Sequence, residues 1–134
     1  MTMNIVVQAT ALVAIAAAAT WLAVAAHLMT FHPERALAML RRTAASHRIN
    51  ITEQGLRMAA GIALVIRAPF AASPPCFAFV GWFIILSSAM LLVIPLRWHA
   101  AYAIWWADRV SLPAVRMIAP FSLAAGIALL VVSL

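Results

Sequence analysis

Residues 5–29 read IVVQATALVAIAAAATWLAVAAHLM, and no charged side chain interrupts them. An α-helix rises about 1.5 Å per residue, so a stretch of this length crosses the roughly 30 Å hydrocarbon core of a bilayer. Polar and apolar residues do not alternate along it, which argues against a half-buried strand. In lipid every backbone N–H and C=O must find its partner inside the segment, and a helix achieves that. Ala-x-Ala spacings around Ala17, Ala19 and Ala26 raise the alternative of a cleaved export signal. No basic residue precedes the run, however, and its apolar stretch is longer than the core of such signals, so a retained membrane helix is expected.

Three more apolar runs follow, at residues 52–70 with Arg57 and Arg67 near its ends, at 76–94 without charge, and at 113–134 with Arg116 in its first turn. The breaks between them are punctuated. Pro33 follows His32 and suits the first turn of a new helix, and Asn50 and Thr52 are candidate caps for the second membrane helix. Ser73–Pro74–Pro75 makes a short turn, Pro95 closes the third run, and Ser111–Leu112–Pro113 opens the fourth. The expected fold is therefore an all-α integral membrane protein of one domain. Its four transmembrane helices would form two hairpins, with amphipathic interfacial helices in the two long connections.

Composition agrees. The 134 residues are 67% hydrophobic and 9% charged; a soluble domain carries about 25% charged residues. The formal charge of +6 comes from nine arginines, with no lysine, against Glu34, Glu53 and Asp108. Arg35, Arg41, Arg42, Arg48 and Arg57 lie in and beside the first connection, and Arg97, Arg109 and Arg116 in and beside the third, leaving Arg67 alone on the opposite side. That asymmetry predicts a bacterial inner-membrane protein with both connections cytoplasmic and both termini periplasmic. The basic charge is read as orientation in a membrane, and no nucleic-acid partner is expected.

Wound at about 100° per residue, the segment from Glu34 to Arg48 places Ala36, Leu37, Met39, Leu40 and Ala44 on one half and Glu34, Arg35, Arg41, Arg42 and Arg48 on the other. Such a basic amphipathic helix suits the headgroup layer. In the third connection Trp98, Tyr102, Trp105 and Trp106 form one aromatic stripe that ends on Arg109, within cation–π reach of Trp105. Arg41, Arg42, Trp98, Tyr102, Trp105, Trp106 and Arg109 are therefore the expected lipid-interface residues. A docking face for a pigment, a quinone or a partner helix is the sharper alternative for that stripe.

A repeat is visible. Ala59-Ala60-Gly61-Ile62-Ala63-Leu64 recurs as Ala124-Ala125-Gly126-Ile127-Ala128-Leu129, each copy in the second helix of an expected hairpin. It suggests duplication of a two-helix unit, with chance similarity between alanine-rich helices as the competitor. Small residues at four-residue spacing, Gly55, Ala59 and Ala63 in one helix and Ser122 and Gly126 in the other, are the expected packing positions.

Chemistry is sparse. Cys76 is the single cysteine, which excludes an internal disulfide and a Cys-x-x-Cys pair. His27, His32, His47 and His99 lie at membrane ends or in connections, and His27 and His32 are about 140° apart on a continuous helix, so no metal or haem site is expected. Asp108 with His99 is the weak acid–base candidate, about 180° apart on one helix. Arg57 and Arg67 bracket a stretch only about 14 Å long, and both can snorkel outward. Turned inward, either would make an anion or headgroup site. Glu53 is placed to pair with Arg57 one turn later. The expectation is a non-enzymatic accessory subunit or membrane-interaction module without cofactor. Its partners would be the bilayer and a protein partner or a second copy. A small transporter or lipid-handling protein using an intramembrane arginine is the alternative.

Overall fold

The computed structural model describes residues 4–134, so the amino terminus itself lies outside the described residues. The described chain is 89% helical, with no strand among the described residues. Six α-helices occur in order: α1 (Ile5–Phe31), α2 (Pro33–Arg42), α3 (His47–Arg67), α4 (Pro74–Val93), α5 (Leu96–Arg109) and α6 (Leu112–Ser133), with a single 3-10 turn (Ala68–Phe70) after α3. Three of them, α1, α4 and α6, are long and apolar enough to cross a membrane. α3 has the length as well, but Arg48, Glu53, Arg57 and Arg67 lower its hydropathy.

The helix ends follow from local chemistry. The Asn4 side chain accepts from the Val6 N–H at the start of α1, and Ser111 Oγ accepts from the Ala114 N–H at the start of α6. Pro33 begins α2 and Pro74 begins α4, where a missing N–H costs nothing. α2 stops at its C-cap Thr43, whose ψ of 129° leaves the helix, and Ala44 then turns into the left-handed region at φ 59° while its methyl stays buried. α3 begins five residues before the expected 52, capped by Ser46 Oγ on the Ile49 N–H rather than by Asn50 or Thr52. Asn50 is instead buried inside the fold.

Packing runs α6–α1–α3–α4, and the closest pairs are α3 with α4 and α1 with α6. Both lie across the expected hairpins rather than within one. Of the two expected pairs, α1 and α3 do pack, whereas α4 and α6 do not pack along their lengths. Each close pair crosses on one glycine of the repeat. A Cβ at Gly61 would sit 2.8 Å from the Gly81 carbonyl oxygen, and one at Gly126 would sit 3.0 Å from the Ala19 carbonyl oxygen. Ser122 Oγ donates to the Leu22 carbonyl at 2.8 Å beside the second crossing. The small core between the helices is built from Ala11, Ile15, Ala63, Leu64, Ala68 and Phe77.

The expected stripe of Gly55, Ala59 and Ala63 is only partly used. Ala63 is buried, but Gly55 and Ala59 face outward, and nothing lies within 4 Å of a Cβ built on Gly55. The contact face of α3 runs instead through Asn50, Gln54, Gly61 and Leu64. The reason is rotation: α3 turns Gly61 toward Gly81 to allow the closest approach of two backbones, which carries Gly55 and Ala59 away from α4.

Candidate functional site: a basic and aromatic collar

At one end of the molecule α2 and α5 pack on each other. Arg41 of α2 and Asp108 of α5 form an ion pair there, the only one among the described residues. α2 half-buries Ala36, Leu37 and Leu40 and leaves Glu34, Arg35, Arg41 and Arg42 exposed, as its pattern requires. Met39, expected on the apolar half, is exposed.

α5 turns His99, Ala103 and Ala107, spaced four apart, into the protein. The opposite face carries Trp98, Tyr102, Trp105 and Trp106, all exposed. Trp106 meets Tyr102 and Trp105 edge-on, at centroid distances of 6.2 and 5.1 Å. The Arg109 guanidinium lies 3.8 Å over the Trp105 ring and also donates to the Trp105 carbonyl at 3.1 Å. Amphipathic rings with a stacked cation form the kind of surface that settles at a lipid–water boundary.

Behind this face His99 Nδ1 lies 3.0 Å from Asn50 Oδ1, joining α5 to the start of α3. Burial, and then the nearby Arg57 charge, hold the imidazole below its ordinary pKa. His99 and Asp108 therefore have separate partners, Asn50 and Arg41, and do not form an acid–base pair. Sequence periodicity marked neither Asn50 nor His99 as joined, because their contact spans two connections.

The two arginines of α3 have different surroundings. Arg67 is half-buried; its guanidinium donates to Gln8 Oε1 at 2.8 Å and to the Ser133 carbonyl at 2.7 Å, with Phe70 5.4 Å away. It thereby ties α3 to the start of α1 and the end of α6, where a cation also answers the unpaired carbonyls of a helix terminus. Arg57 is exposed, and its polar contact is a long one, 3.5 Å to Ser87 Oγ. Glu53 and Arg57 share a helix face but make no ion pair.

Among the described residues no group of three metal-ligating side chains comes together. The break at His32 does bring the His27 and His32 rings to 6.2 Å, which a continuous helix would not. Comparison with protein-family models, with curated proteins and with solved structures found no match to this chain.

Proposed function

We propose that the chain is a four-pass protein of the bacterial inner membrane that acts without catalysis, as an accessory subunit or membrane-interaction module assembling with itself or with a larger complex. The observation that carries this reading is the collar: five of the nine arginines lie on α2 and α5, Arg48 and Arg116 lie near the starts of the helices that follow them, and the aromatic face of α5 is exposed beside them. Positive charge on one side and a belt of tryptophan are what a cytoplasmic interface calls for. A crossing by α3 is supported by its two anchors: Asn50 is joined to His99 at the collar, and Arg67 is joined to Gln8 and Ser133 at the far end. α3 is thus held at both ends; Arg48 and Arg67 lie near those ends, Glu53 is half-buried, and Arg57, at the midpoint, is exposed with Ser87 Oγ of α4 at 3.5 Å. Both termini then face the periplasm.

Two measurements test this. Cys76 is exposed near the start of α4 and is the chain's own topology probe. A membrane-impermeant maleimide should label it from the periplasmic side of intact cells; labelling only after the membrane is opened would reverse the topology. Purification in gentle detergent should yield a stable oligomer or a stoichiometric partner, and a monodisperse monomer with nothing bound would remove the subunit reading. The exposure of Arg57 supports a second reading, a lipid-handling or transport role at that residue. Unchanged flux in vesicles carrying Arg57→Ala would eliminate it.

A further inference from the structure

Between α1 and α6, on the collar side of their crossing, lies an open groove of about 370 Å³. That is within the size range of small-ligand sites. Its origin is legible in the residues. Gly126 against Ala19 and Ser122 against Leu22 hold the two helices together. Toward the collar the facing side chains are Ala23, Ala26 and Ala119, too small to fill the space. Pro120 also lines the groove, and its missing N–H deprives the Arg116 carbonyl of its helical donor.

The groove has a polar end. His27 forms part of its wall. Arg116 precedes Pro120 by one turn on the same side of α6, toward the collar, and it is exposed and in no ion pair among the described residues. Neither α1 nor α6 contains a carboxylate. The one acid on the adjoining α2, Glu34, is outnumbered there by Arg35, Arg41 and Arg42. An apolar trough that ends at an unneutralised cation matches an amphipathic anion with the same order of parts.

We propose that this groove holds one anionic phospholipid, its acyl chain against Ala23, Ala26 and Ala119 and its phosphate at Arg116 and His27. The inference rests on the membrane setting of α1 and α6 and is independent of the accessory-subunit reading. An acyl chain would complete the packing the alanines leave open, and the phosphate would answer the charge at the mouth.

The test uses the full chain, reconstituted in nanodiscs of equal phosphatidylglycerol and phosphatidylcholine, transferred to gentle detergent and weighed by native mass spectrometry. One phosphatidylglycerol should remain per chain, with no phosphatidylcholine. Arg116→Gln should lower its retention about fivefold, the equivalent of about 1 kcal/mol for one arginine at an anionic surface. Ala23→Phe, which fills the trough from an exposed position, should abolish retention while the circular dichroism stays helical. Arg97→Gln, at the start of α5, should leave retention unchanged. Equal retention of both lipids, an equal fall in Arg97→Gln and Arg116→Gln, or indifference to Ala23→Phe would overturn the proposal. Displacement by inorganic phosphate alone would also overturn it, because the trough would then contribute nothing.

Discussion

Replacing Gly61 by alanine tests whether the α3–α4 crossing depends on backbone contact. The added methyl would lie 2.8 Å from the Gly81 carbonyl oxygen, 2.9 Å from Ile85 Cγ1 and 3.2 Å from Ile84 Cγ2. The two isoleucine atoms can yield by small rotations. The carbonyl cannot, since it belongs to the facing helix backbone, so α3 and α4 must separate. Overpacking of this kind costs about 1–3 kcal/mol. Alanine also gains about 0.5–1 kcal/mol over glycine in a helix, which masks part of the cost. Gly55→Ala is the internal reference, because its methyl meets nothing within 4 Å. The intrinsic gain is common to both variants, so their difference isolates the clash, and Gly61→Ala should be less stable than Gly55→Ala by about 1–3 kcal/mol. Gly81→Ala should behave like Gly61→Ala, with contacts of 2.8 Å to the Gly61 carbonyl oxygen and 2.8 Å to Val65 Cγ2. Gly126→Ala should cost less, its nearest contact being 3.0 Å. The assay is reversible unfolding in mixed micelles with increasing sodium dodecyl sulfate, followed by far-ultraviolet circular dichroism. Equal midpoints for Gly61→Ala and Gly55→Ala would refute the account of the crossing.

Arg67→Met removes the donor to the Ser133 carbonyl and should lower stability by about 1.5–3 kcal/mol in the same titration; a stable variant with lost transport would instead make Arg67 a ligand site. The buried His99, whose folded pKa lies below its ordinary value of 6.5, contributes stability that is complete above that value and is lost as pH falls through the folded pKa, because the unfolded chain takes the proton first. His99→Gln should flatten that acid limb, and an unchanged pH profile would show that another group sets it.

The sequence reports best what depends on neighbours along the chain. Long apolar runs, uncharged in α1 and α4 and carrying only Arg116 in α6, gave these three helices with ends within a few residues of those observed. The spacing of Trp98, Tyr102, Trp105 and Trp106 gave the exposed face of α5, because one helix fixes that face without help from others. What failed depends on rotation and on distant partners. Small residues on α3 offer two candidate contact lines, through Gly55 and Ala59 or through Gly61. Only the presence of Gly81 across the interface selects the second. Asn50 reads locally as a cap, yet it bonds to His99 of α5. Arg67 reads as a snorkelling side chain, yet two other helix ends supply its acceptors. The repeat was visible as letters, and its physical meaning, one backbone-to-backbone crossing per copy, needed the facing helices.

That meaning also explains how the two halves differ. Gly61 on α4 and Gly126 on α1 are equivalent crossings, so the glycines impose the same close pair twice. They do not decide whether the helices within one half meet; the connections do. α2, with 10 residues, separates the ends of α1 and α3 by about 15 Å, and these helices converge through Ala11, Ile15, Ala63 and Leu64. α5, with 14 residues, sets the ends of α4 and α6 about 20 Å apart, roughly twice the 8–10 Å at which helices pack. No second Ile15 bridges that span. The unpaired flank between α4 and α6 is thus a consequence of connection length, and it is also why the aromatic face of α5 lies stretched across the outside of the molecule, with His99, Ala103 and Ala107 turned inward beneath it. Shortening α5 by one full turn should draw α4 and α6 together and disturb the stripe. A shortened chain that kept both the α4–α6 gap and the exposure of Trp98 and Tyr102 would show that the gap has another cause.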